Sequence, residues 1–101
     1  METEWENLKE SVSYQKGSIM SRELRKGGKL NVTLFCMAKG TVLSEHTSSK
    51  EGFIYVLDGN GVFTLEGKEI TMIPGVAIFM RKGAAHSLKA KGNTAFVLVL
   101  G

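Results

Sequence analysis

His46 and His86 are the only imidazoles in a chain of 101 residues. An imidazole can ligate a metal, hydrogen-bond an organic ligand or carry a proton near neutral pH. In an extended strand, residues two apart face the same side. On that rule His46 and Ser48 point one way, and Glu45 and Thr47 the other. A serine hydroxyl is a poor ligand for a divalent cation beside imidazole or carboxylate. Ser48 is therefore read as a polar contact. Gly52, four residues on, offers no side chain. Glu51 can turn inward only if the loop Thr47 to Glu51 is re-routed. Other nucleophiles carry less. Cys36 lies between Phe35 and Met37 and reads as a small core hydrophobe. Ser44 shares the His46 face, but no G-x-S-x-G elbow surrounds it. Gly59-x-Gly61 joins two strands with no helix after it, so it is not a phosphate loop.

The spacing of glycines around the two histidines is more specific. The first stretch reads Gly40-TVLSE-His46-Thr47-Ser48-SKE-Gly52-FIYVLD-Gly59, and the second Gly75-VAIFM-Arg81-Lys82-Gly83-AA-His86-SLK-Ala90. These resemble the two motifs of the cupin superfamily, G-x5-H-x-H-x(3,4)-E-x6-G and G-x5-P-x-G-x2-H-x3-N. The resemblance runs from about Gly28 to Leu100. It implies an all-β fold, the double-stranded β-helix or jelly-roll cupin barrel, and a metal site of three histidines and one glutamate. His46 and His86 match the first and last of those ligands. Ser48 stands at the second histidine and Gly52 at the glutamate, with Glu51 one residue earlier. Arg81 and Ala90 replace the second motif's Pro and Asn. Half the ligand set is absent, and three protein ligands are the usual minimum for a catalytic zinc site.

Three readings of the pair stay open. One is a weakened site for a divalent ion (Zn, Fe, Mn or Ni), held by His46 and His86 and completed by water or Glu51. Another is a metal-free pocket for a small molecule. The third is a polar pair with no ligand. Ile54 and Val56 share the side of Gly52, so the expected pocket is lined by His46, Ser48, Ile54, Val56, Met80 and His86, with Gly52 enlarging it. An apolar wall with a few convergent polar groups is the general form of a small-molecule site. The leading expectation is a small-molecule-binding protein with a degenerate metal site. The alternatives are a metal-dependent oxygenase, isomerase or decarboxylase acting on a small polar substrate, and a ligand-sensing or protein-interaction module.

The elements that must position these residues are short strands. Apolar and β-branched runs at 19–25, 30–38, 41–48, 53–57, 62–65, 69–73, 76–80, 86–91 and 94–100 are divided by turn residues: Lys26-Gly27-Gly28, Gly40, Asp58-Gly59-Asn60-Gly61, Glu66-Gly67, Pro74-Gly75, Lys82-Gly83 and Gly92-Asn93. Many short strands with glycine-bearing turns read as a sandwich or barrel. Residues 1–12 read as a short helix or arm, with Trp5 and Leu8 on one face and Glu2, Glu4 and Glu6 near its positive end. The expected organisation is one domain over residues 1–101, its barrel at about 28–100.

Composition narrows the partners. The net charge is +3, but the Lys and Arg residues are interleaved with acids and form no stripe, so nucleic acid is not an expected partner. The longest apolar run, Phe96 to Leu100, is far below the ~20 residues of a membrane-spanning helix, and no membrane partner is expected. One cysteine and no apolar leader point to the cytoplasm. Phe53, Tyr55 and Leu57 form a bulky row opposite Ile54 and Val56. Such a row needs a cover, and the resemblance to minimal cupins supplies one in a homodimer.

Overall fold

The computed structural model describes residues 4–25 and 28–101. Glu2 at the N-terminus and the Lys26-Gly27 half of one expected turn lie outside them. A single helical turn, α1 (Leu8–Ser11), is followed by β1 (Ile19–Arg25), β2 (Asn31–Met37), β3 (Val42–His46), β4 (Gly52–Asp58), β5 (Gly61–Leu65), β6 (Lys68–Met72), β7 (Ala77–Met80), β8 (His86–Ala90) and β9 (Thr94–Leu100). One sheet has the order β1-β2-β9-β4-β7 and the other β3-β8-β5-β6. All pairings are antiparallel. This is the expected jelly roll: two sheets packed face to face around one interior. Among the described residues no helix is long and apolar enough to cross a membrane.

Alternation along the strands sets the interior. In β4, Gly52, Ile54 and Val56 are buried, while Phe53, Tyr55 and Leu57 face outward. In β8, His86, Leu88 and Ala90 are buried between the more exposed Ser87 and Lys89. Met37, Ile54, Val56, Phe63, Met72, Ile78, Met80, Leu88 and Phe96 form the main cluster. β9 departs from alternation, with Thr94 to Val97 all buried. It is the central strand of its sheet and both of its faces are covered. Phe96 points into the barrel, while Ala95 and Val97 join Leu34 and Cys36 in a second cluster on the outer face.

The second cluster is covered from within the chain. Of the short helix or arm expected over residues 1–12, the described residues show one helical turn, α1, capped by the Asn7 side chain on the Lys9 amide and ending at an extended Val12. With α1 the segment forms a strap that packs Leu8, Val12 and Tyr14 against the cluster of Leu34, Cys36, Ala95 and Val97. Leu57, one of the three outward residues read as needing a cover, packs against the same cluster and is half-buried. Trp5 takes no part and is exposed. The strap is tethered by Glu6, which pairs with Arg22 at 2.6 Å and accepts from Ser11 Oγ at 2.9 Å. Its other tether is Tyr14, whose hydroxyl donates to Asp58 at 2.7 Å.

Burial, and then the hydrogen bond and charge of Asp58, push the Tyr14 phenol above its ordinary range. The folded state therefore holds this proton more tightly than the unfolded chain. The stabilisation is complete below the phenol's unfolded value of about 10 and is lost as pH rises above it. Tyr14→Phe is expected to lower stability by about 1 kcal/mol at neutral pH through the lost hydrogen bond. It should also flatten the alkaline decline relative to wild type. Urea midpoints between pH 8 and about 11 measure both effects. Parallel declines in the two proteins would show that the tether does not titrate with folding.

Candidate functional site

β3 and β8 lie side by side at one edge of the second sheet, and the site is built on their pairing. Val42 stands opposite Lys89 and Leu43 opposite Leu88, but His46 stands opposite His86. From Leu43 to His46 is three steps on β3; from Leu88 to His86 is two on β8. One extra residue is therefore accommodated near Ser44 and Glu45, as in a β-bulge. Strict alternation from the inward Leu43 would turn Glu45 inward and His46 outward. The bulge reverses this and gives His46 the face of Leu43, Leu88 and His86. Ser44, read from the sequence as sharing that face, lies within the shifted stretch and is exposed.

The two rings meet edge to face, with centroids 4.1 Å apart and planes at 64°. His86 is 6% exposed and stacks on Phe63, with centroids 5.7 Å apart. His46 is exposed, so the pair runs from solvent to the edge of the core. Both rings are fixed in the same way. His46 Nδ1 lies 2.6 Å from the Ser44 carbonyl and His86 Nδ1 lies 2.9 Å from the Ala84 carbonyl, each two residues upstream. A carbonyl oxygen only accepts, so each Nδ1 carries the proton. In the neutral ring Nε2 then holds a free lone pair. No described residue bonds to either Nε2. Among the described residues no buried side-chain nitrogen or oxygen lacks a partner. Unpartnered as it is, His86 Nε2 therefore reaches solvent.

The other expected site residues are placed less simply. Ile54, Val56 and Met80 are packed in the main cluster, 2%, 0% and 6% exposed. Gly52 does not enlarge the interior. A Cβ built on it would stand 2.5 Å from Met80 Cε and 3.2 Å from Leu100 Cδ2, so the methionine fills the volume that the missing side chain leaves. Ser48 anchors a loop: its carbonyl accepts from Gly83 at 2.8 Å and its Oγ from the Lys50 amide at 3.1 Å. Glu51, considered as a third ligand, does not join the histidines. No group of three or more His, Cys, Asp or Glu able to hold a metal exists among the described residues. Glu51 immediately precedes Gly52, where β4 begins, and its carbonyl is tied to the Gly101 amide at 3.1 Å. Two imidazoles alone do not fit a firmly held divalent ion. The sequence reading missed the bulge, the two carbonyls that orient the rings and the Phe63 platform. The platform alone left a signal, an aromatic residue on a strand that pairs with β8.

The sequence profile of the family described as Cupin domain matches residues 33–100. The chain is a cupin. No curated protein matches it. Among solved structures, this cupin is similar to a conserved protein of unknown function from Streptococcus pyogenes, with TM-score 0.87 and 25% identity over 96% of this chain and 85% of that one. It is similar to a cupin 2 conserved barrel domain protein from Leptotrichia buccalis, with TM-score 0.86 and 29% identity over 93% of this chain and 46% of that one. A predicted oxalate decarboxylase from Thermotoga maritima shares the fold, with TM-score 0.78 and 24% identity over 84% of this chain and 81% of that one. The fold likeness alone transfers no reaction to this cupin, because sites rather than folds carry function.

Proposed function

We propose that this cupin binds a small polar molecule at the mouth of the barrel through the Nε2 atoms of His46 and His86. One observation carries the reading. Both Nδ1 atoms are committed to backbone carbonyls, which leaves two oriented acceptors side by side and open to a ligand. Preorganised side chains lose little entropy when a ligand arrives. The packing of Ile54, Val56 and Met80 confines the ligand to the mouth. Ser48, on the adjoining loop, is the further polar contact in this reading.

A second reading keeps the same two atoms and places a divalent ion on them, with water completing its shell. The two-imidazole donor set favours the organic ligand, since such an ion would be weakly held. Both readings place the protein in the cytoplasm as a homodimer. The outward Phe53 and Tyr55 of β4 supply the surface for a second copy.

The test is a titration of untagged protein, followed through the Cε1–H proton resonances of both histidines, with a panel of small hydroxy, amide and carboxylate compounds and separately with Zn2+. At least one organic compound is expected to move both resonances together and saturably. His46→Gln/His86→Gln should abolish that binding. Saturation by Zn2+ alone would transfer the proposal to the metal reading. Organic ligands that bind the double variant as well as wild type would overturn both.

A further inference from the structure

A groove of about 300 Å3 opens between the two sheets, where the edge strands β6 and β7 face each other. It is lined by Leu65, Glu66, Lys68, Phe79, Arg81 and Ala84. It adjoins the histidine pair. Leu65 is the cross-strand partner of His86, and the Ala84 carbonyl holds His86 Nδ1. Leu65, Ala84 and the exposed ring of Phe79 make it apolar, with the Phe53 ring tilted at 49° against Phe79 and their centroids 4.9 Å apart.

Two features at its rim are out of keeping with a merely structural turn. The first is Glu66. The β5–β6 hairpin turns on Glu66-Gly67, with φ 49° and 80°, since Leu65 pairs with Lys68. A two-residue turn with both φ positive favours Asn-Gly, and a glutamate in the left-handed region is strained. The second is Arg81. Its guanidinium makes no hydrogen bond among the described residues and stands 4.0 Å from the Glu66 carboxylate, too long for one. A guanidinium carries five donors in a planar fork that matches a carboxylate bidentately. Here the fork is 87% exposed at the rim of the groove, and the Glu66 carboxylate beside it has the charge and shape that the fork accepts.

We propose that the groove receives a carboxylate ligand with a compact apolar body. Its acid group displaces Glu66 from Arg81, its body lies on Phe79 and Leu65, and its far end reaches toward the histidine mouth. This rests on the reading of the histidine pair as a ligand site and names the acid class of that ligand. Glu66 competes with the ligand for Arg81, so its removal strengthens binding, an effect that no purely structural role predicts.

The probe is benzoate, with neutral benzamide as its isostere, titrated into the full chain and followed by backbone amide shifts. Benzoate should shift the amides of Leu65, Lys68, Phe79 and Ala84 saturably, and benzamide should bind at least about tenfold more weakly. Arg81→Gln, at an exposed position, should weaken benzoate by about tenfold or more. Glu66→Asn should tighten it by about two- to fivefold, the range of an exposed ion pair. It should also raise the melting temperature by relieving the turn. Equal binding of benzoate and benzamide, unchanged binding to Arg81→Gln, or no saturable groove shift up to about 10 mM would overturn the inference. His46→Gln/His86→Gln separates the two claims. Groove shifts that persist unchanged in it leave the Arg81 subsite standing and remove support from the histidine reading. A silent groove with a ligand still moving the histidine resonances does the reverse.

Discussion

Gly59→Ala is expected to lower stability by about 2–5 kcal/mol, the sum of a left-handed backbone for a residue with a Cβ and an overpacked contact. Gly59 has φ 104°. A Cβ there would run into the Asn93 carbonyl and stand 2.5 Å from Thr94 Cα and 2.8 Å from Thr94 Oγ1. Two of those three atoms are backbone, so no side-chain rotation relieves the clash. The contact belongs to a clasp between two turns. Asn60 N–H donates to Thr94 Oγ1 at 3.3 Å, that hydroxyl donates to the Gly92 carbonyl at 2.9 Å, and the Gly92 amide donates to the Asn60 carbonyl at 2.9 Å. Thr94 is 1% exposed at the centre of this arrangement. Gly75→Ala is the control. Gly75 has φ 94°, but nothing lies within 4 Å of its built Cβ, so it isolates the backbone strain at about 1–2 kcal/mol. At about 4–8 °C per kcal/mol, thermal melts should separate the two variants clearly. If Gly59→Ala melts no lower than Gly75→Ala, the clasp contributes nothing beyond local strain.

The glycines that made this clasp also made the fold legible. Asp58-Gly59-Asn60-Gly61 and Gly92-Asn93 mark turns because only a few residue types tolerate positive φ, and the apolar runs between such marks fell on the observed strands. The meeting of His46 and His86 was legible through the spacing shared with the cupin motifs. What stayed hidden are features that a period-two pattern does not encode. The extra residue near Ser44 and Glu45 is invisible because both neighbours are polar, so neither register looks wrong. The filling of the Gly52 vacancy by Met80 depends on a flexible thioether reaching across a strand pair, Gly52 opposite Met80, that no local window contains. The strap was hidden for a related reason. Trp5 and Leu8 read as one face of a helix, yet Trp5 is exposed, and the segment is anchored by Leu8, Val12 and Tyr14 on a cluster of Leu34, Cys36, Ala95 and Val97 that only the sheet brings together.

The Met80 substitution for a missing ligand leads to the second large effect. Gly52→Glu alone should destabilise by about 1–3 kcal/mol, because Met80 Cε and Leu100 Cδ2 already occupy the space its Cβ needs. Met80→Ala alone should lose about 2–5 kcal/mol through the cavity it opens. Together the changes remove each other's fault in part, and the carboxylate enters the side of the strand that carries Ile54 and Val56. It then stands with His46 and His86 as a two-histidine, one-glutamate set, which is the ligand count of catalytic zinc sites. Four-ligand structural zinc sites are worth about 10–16 kcal/mol, so one further ligand brings roughly two to three orders of magnitude in affinity. The Gly52→Glu/Met80→Ala protein should therefore bind Co2+ at least about 100-fold more tightly than wild type, with a visible absorption band of low-symmetry cobalt. Metal at 100 times its dissociation constant should return about 2.7 kcal/mol of stability. Adding His86→Ala should abolish both gains. If the double variant binds Co2+ no better than wild type, the glutamate does not reach the imidazoles, and Met80 is filling a core position that was never part of the histidine site.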